Sequence, residues 1–176
     1  MRRYLPKELR RRFDIAWRLV PSSFHAEIKR FIKTVKAVPT LQGVNVQCRD
    51  GTLRMSSEEG GGWFVADASS CPTIGYIFLH IDFQDGPEVP AILTILHELA
   101  HAVEYLEDDW KAESREDRDS EIAAWLQVGA WAARNLAHYD EAFAIVTMSR
   151  EMADEEIQQK KQEYLVHSFA ASFHKT

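Results

Sequence analysis

Between residues 90 and 106, Ile92, Leu93, Leu96, Leu99, Ala100, Val103 and Leu106 recur at three- and four-residue spacing. No other feature constrains the fold of this chain more. The spacing predicts a helix with one apolar face. Asp85-Gly86-Pro87 reads as the turn before it, and Pro90 suits a first helical turn. The same run contains His97-Glu98-Leu99-Ala100-His101, flanked by the uncharged Thr94, Ile95, Ala102 and Val103. Four residues advance a helix by about 400°, so His97 and His101 fall on one face, one turn apart. The helix is therefore expected to lie half-buried, with the two imidazoles on the side away from its apolar stripe.

Two imidazoles so placed can both reach one Zn²⁺ ion at about 2.0–2.1 Å. Glu98 is offset around the helix and does not join them as a ligand. It can instead face a water beside the metal and take its proton during attack on a carbonyl. H-E-x-x-H on a helix thus has a chemical reason for both its residue types and its spacing. One zinc ion per chain is expected.

A catalytic zinc site wants three protein ligands and an open position. The downstream candidates are Glu113, Glu116, Asp117, Asp119, Glu121 and His138. Glu121 stands apart, because it opens the apolar run Ile122-Ala123-Ala124-Trp125-Leu126. A carboxylate entering a core needs a cation to offset its desolvation. The acids between 107 and 119 can simply sit in water, and Asp119 or Ser120 suits the N-cap of the helix that Glu121 enters.

The rest of the chain reads as helices, then strands, then helices. Residues 7–20 and 23–37 look like two helices broken at Pro21-Ser22. In the second, Phe24, Ile28, Phe31, Ile32 and Val35 make one stripe. Residues 44–48 and 52–55 alternate around the Asp50-Gly51 turn signal and read as a hairpin. Residues 63–65 follow a glycine run, and residues 73–81 are the strongest strand, rich in β-branched and aromatic residues. Residues 107–119 read as a charged stretch containing a loop. Residues 120–136 form a helix, and one or two more fill 139–173. The expected fold class is α+β, with a three- or four-stranded sheet packed on the two ligand-bearing helices. At 176 residues the chain is one domain of ordinary size. Residues 1–38 form a basic helical segment within it, and residues 73–130 the zinc-site core.

From His101 to Glu121 there are 19 intervening residues. H-E-x-x-H followed by a glutamate on the next helix resembles the gluzincin group of zinc metallopeptidases, the thermolysin-like class. The resemblance covers residues 73–130. It implies zinc held by His97, His101 and Glu121, Glu98 as general base, and residues 73–81 as an edge strand that pairs with extended substrate through positions such as Tyr76 and Phe78. Where thermolysin-like proteins carry an Asp that orients a ligand histidine, this chain has Trp125. Residues 119–125 are loosely similar to the E-x-E-A-x-x-F-A pattern of small bacterial and phage gluzincin-like proteins that cleave repressors. The metzincin signature is absent, since no Gly and His follow at its spacing.

A peptidase also needs a donor for the oxyanion. Tyr105, one turn beyond His101, is a candidate, as are His138, Tyr139, Tyr164 and His167. Cys71 can in principle supply a fourth zinc ligand in a latent form, although a buried structural thiol is its default reading.

The net charge of −6 is unevenly spread. Residues 1–36 hold eleven Lys or Arg against Glu8, Asp14 and Glu27. A nucleic acid or an acidic partner could use that arm, but Arg10, Arg11, Arg12 and Arg18 interleave with Phe13, Ile15, Trp17 and Leu19 like the wet face of an amphipathic helix. The start is charged where a signal peptide would be apolar. No run suits a membrane span, and Cys48 and Cys71 form no disulfide framework. A cytoplasmic protein with reduced thiols is expected. The expected activity is peptide-bond hydrolysis on a peptide or protein substrate. The alternative is an idle zinc-binding regulatory or interaction module.

Overall fold

The computed structural model describes residues 4–48, 51–54, 61–67, 70, 72–107 and 117–173. Two helices come first, α1 (Lys7–Leu19) and α2 (Ser22–Phe31). Five strands follow: β1 (Ile32–Val38), β2 (Asn45–Gln47), β3 (Thr52–Arg54), β4 (Gly62–Asp67) and β5 (Ile74–His80). A short 3₁₀ turn (Ile81–Gln84) leads into α3 (Glu88–Glu107), and α4 (Asp117–Ala133) and α5 (Glu141–Phe173) complete the chain. The class is α+β, as expected.

β1, β5 and β4 make a three-stranded sheet in that order, with β1 parallel and β4 antiparallel to β5. β2 and β3 pair separately as an antiparallel hairpin. Both sheet faces are covered. Ile32, Val35, Ile77 and Leu79 join the main core with Leu9 and Phe13 of α1 and Ile92, Leu96 and Leu99 of α3. On the other face Val65 and Phe78 pack with Leu41, Val46 and Cys48 around the hairpin.

Two sequence expectations are corrected here. The helix expected over 23–37 ends at Phe31, and β1 follows at once. Ile32 and Val35 fit a helical stripe, but residues 32–38 also carry the β-branched residues of a strand, and pairing with β5 decided between the two. The strand at 73–81 is not an edge. β5 lies between β1 and β4, and its near-continuous apolar run is what a strand buried on both faces requires. Tyr76 and Phe78 belong to the cluster on the hairpin side, away from α3. The edge beside α3 is β4.

Arg12 also departs from the wet face expected of it. Its side chain is buried, and its guanidinium donates to the Phe83 carbonyl and, at 3.3 Å, to that of Pro87. Arg11 grips the Glu88 carboxylate with two hydrogen bonds of 2.9 and 2.6 Å, and Arg10 donates to the Leu5 carbonyl. The Arg11 and Arg12 contacts tie α1 to the turn that starts α3. No helix among the described residues is long and apolar enough to cross a membrane.

Candidate metal centre

α3 is buried along most of its length because apolar residues surround it on nearly every side. His97 and His101 project from it toward α4, where Glu121 sits in the second turn. His97 Nε2 lies 2.9 Å from Glu121 Oε2. His101 Nε2 lies 3.2 Å from Glu121 Oε1. The two imidazole Nε2 atoms are 3.0 Å apart. Four ligands placed tetrahedrally around zinc at its usual bond lengths stand about 3.3 Å from one another. The His97–His101 separation is within a few tenths of an ångström of that spacing, and each imidazole meets its own oxygen of the Glu121 carboxylate at a comparable distance. Among the described residues His97, His101 and Glu121 are a group whose ligand atoms could hold a metal ion. Two imidazoles and one carboxylate suit zinc and leave a fourth position open. Glu121 keeps 39% of its side chain exposed.

The electrostatics of the cluster are those of a place for a cation. Burial opposes charge on His101, yet the neighbouring Glu104 and Glu121 carboxylates outweigh it and raise its pKa to about 10. Burial likewise pushes Glu121 up, but the hydrogen bonds from His101 and His97 win and hold its carboxyl well below the usual range. His97 goes down, chiefly because it is buried.

Glu98 is buried beside this cluster, under β4. Burial pushes its pKa up to about 7, against the pull of His101 and a hydrogen bond from the Phe64 backbone. A carboxylate near neutrality is suited to taking and returning a proton. A Cβ placed on Gly62 would lie 2.6 Å from Glu98 Oε1. Only glycine lets the β4 backbone come this close to Glu98.

The two histidines are held differently. His97 stacks on Trp125, ring centroids 3.8 Å apart, and its Nδ1 is buried without a hydrogen-bond partner among the described residues. His101 Nδ1 faces Ser120 Oγ at 3.3 Å and Glu104 Oε2 at 3.6 Å. Sequence reasoning missed Glu104 and Ser120. The one available signal was Glu104 falling three residues beyond His101, on the same helix face. Ser120 is not an N-cap, because α4 starts at Asp117.

The proposed oxyanion donors are not brought to the metal donors. The Tyr105 ring stacks on Phe31 at 5.2 Å and meets Phe64 edge-on, as part of the core's packing. His138 and Tyr139 lie past the far end of α4, about 18 Å or more along the helix axis from Glu121. Tyr164 is exposed on α5. Asp119 pairs with Lys160 rather than joining the cluster. Cys71, Glu113 and Glu116, and the side chains of Asp117 and His167, lie outside the described residues.

No family model, curated protein or solved structure matches the chain.

Proposed function

We propose that the protein is a zinc metallopeptidase, with zinc held by His97, His101 and Glu121 and with Glu98 as general base. The observation that supports this most is the cluster of His97, His101 and Glu121, with N···N and N···O separations of 2.9–3.2 Å and a buried glutamate beside it. A bound zinc ion would supply Lewis acidity toward a carbonyl oxygen and acidify a water molecule. Glu98 would take one proton from an attacking water as the water oxygen bonds to the peptide carbon. The same carboxyl then gives the proton to the departing nitrogen as the C–N bond breaks. A pKa near 7 serves both halves of that transfer.

Substrate is expected along β4. Its partner β5 occupies one edge, and its other edge has no paired strand among the described residues. An extended peptide adding there would run past Gly62 and Glu98. This moves the substrate strand from residues 73–81 to Gly62–Asp67 and keeps the mode of recognition.

A second reading is a metal module without turnover. The placement of Tyr105 in core packing, and of His138 and Tyr139 beyond the end of α4, favours it, because none of these three expected oxyanion donors is brought beside Glu98. Glu98 itself favours the enzyme, since metal binding alone needs no buried acid beside the ligands.

The deciding experiment uses wild type, Glu98→Gln and His97→Ala, with zinc content measured for each. A pool of unstructured proteins is incubated with each and cleavage is read by mass spectrometry. Wild type is expected to cleave. Glu98→Gln is expected to keep its zinc and lose at least roughly 10²- to 10⁴-fold in rate, the usual share of a general base. His97→Ala is expected to lose metal and activity together. Zinc-loaded wild type that cleaves nothing beyond the Glu98→Gln control would leave the metal site standing and remove the peptidase.

A further inference from the structure

We infer that Glu104 and Ser120 are positioning residues for the metal centre: together they hold His101 in the tautomer that presents Nε2 to the ion. The inference rests on the metal-binding reading above.

Glu104 is buried on α3, one turn beyond His101. A buried carboxylate is costly unless hydrogen-bonded. One partner is the Ser120 hydroxyl, which donates to Glu104 Oε2 at 2.7 Å. A hydroxyl has a single proton and two lone pairs. With its proton committed to Glu104, Ser120 Oγ can only accept from His101 Nδ1, 3.3 Å away. The direct separation from Nδ1 to Glu104 is 3.6 Å, too long for a hydrogen bond, so the serine is the necessary bridge. The chain runs from His101 Nδ1–H to Ser120 Oγ–H to the Glu104 carboxylate. It places the proton on Nδ1 and frees the Nε2 lone pair, which points at Glu121 and at the other imidazole. An acceptor behind a ligand histidine fixes its ring and raises its basicity.

Ser120 directly precedes Glu121 in the chain. The same bridge that orients His101 therefore sets the register of α4 against α3 and so places the third ligand. Behind His97 no counterpart to it is found among the described residues: its Nδ1 is buried without a hydrogen-bond partner there, and the ring stacks on Trp125.

The test is zinc affinity of the full chain by competition with a chromogenic chelator. Variants are Glu104→Gln, Ser120→Ala, Ser120→Thr and the double Glu104→Gln/Ser120→Ala. Cobalt(II) absorption in the visible region reports the ligand field independently. Glu104→Gln and Ser120→Ala are each expected to weaken zinc binding roughly 10- to 100-fold. The double variant should be no weaker than the poorer single one, because both cut one chain. Ser120→Thr keeps the hydroxyl and should restore affinity. The cobalt spectrum should change in Glu104→Gln and in Ser120→Ala and stay like wild type in Ser120→Thr. A merely structural role would lower the unfolding midpoint and leave both affinity and spectrum of the folded fraction unchanged. Folded variants that bind zinc like wild type overturn the inference alone. Wild type that takes up no zinc overturns the metal reading and this inference with it. Should Glu104→Gln not fold, the contrast between Ser120→Ala and Ser120→Thr decides.

Discussion

At the scale of single residues, the centre works by putting unlike groups under one roof. His97 and His101 each meet an oxygen of the Glu121 carboxylate, at 2.9 and 3.2 Å. Replacing Glu121 with Ala removes a donor atom and leaves two buried imidazoles facing each other at 3.0 Å. Zinc affinity should fall by more than the roughly 100-fold upper end seen for loss of an outer partner. Competition with a chelator measures it, and affinity equal to wild type would exclude Glu121 as a ligand. Gly62 makes a different prediction. In Gly62→Ala the new methyl group would meet the Glu98 carboxylate and drive either the side chain or β4 outward. Zinc content should stay near one per chain while hydrolysis falls at least about tenfold, since a misplacement of 1 Å near the chemistry can cost about 100-fold. Loss of zinc together with activity would show that the clash spreads to the ligands instead.

At the scale of elements, the site depends on where α3 begins and what α4 packs against. Arg11 and Arg12 both reach from α1 to the start of α3, but they are not equal. The Arg11 pair with Glu88 is exposed, and such pairs contribute about 0–1 kcal/mol. Arg12 is buried and donates to two backbone carbonyls, the Pro87 one at a long 3.3 Å, and one good hydrogen bond from a charged group contributes about 1.5–3 kcal/mol. Arg12→Met keeps the apolar stem and removes the donors. It should lower stability to denaturant by about 1.5–3 kcal/mol, whereas Arg11→Met should cost less than about 1 kcal/mol. Urea unfolding of both variants checks the order, and equal losses would contradict it. This use of the arginines also gives part of the N-terminal basic excess a structural purpose.

At the scale of the whole molecule, zinc is expected to act as a clamp between α3 and α4. The ligands come from two helices, and an ion bound only by the folded state stabilises it by mass action. At about 1,000 times its dissociation constant the gain is about 4.1 kcal/mol. For a domain of this size that corresponds to a rise in Tm of roughly 8–16 °C, at about 2–4 °C per kcal/mol. Calorimetry of zinc-loaded and chelator-stripped protein measures it. Identical midpoints would show that the cluster binds no ion in the folded state. Glu121→Ala should show a much smaller zinc-dependent shift than wild type.

Local pattern determined much of this protein without help from the fold. The His97–His101 pair follows from helical geometry alone, because a residue's neighbour one turn on is fixed by the pitch. Glu121 was readable because an acid opening an apolar helix has few stable explanations. The α+β class followed from the order of helical and strand-like stretches. What the chain does at 32–38 was not local: Ile32 and Val35 satisfy a helix or a strand, and only pairing with β5, more than 35 residues away, made the strand the better use of them. The same pairing turned residues 73–81 from a supposed edge into the centre of the sheet and handed the edge to β4. Glu104 and Ser120 lie 16 residues apart, and their bond exists only because α4 packs on α3. Periodicity reports which face of an element is apolar. It does not report which element will cover that face, and that choice placed Glu98 beneath Gly62 and gave His101 its support.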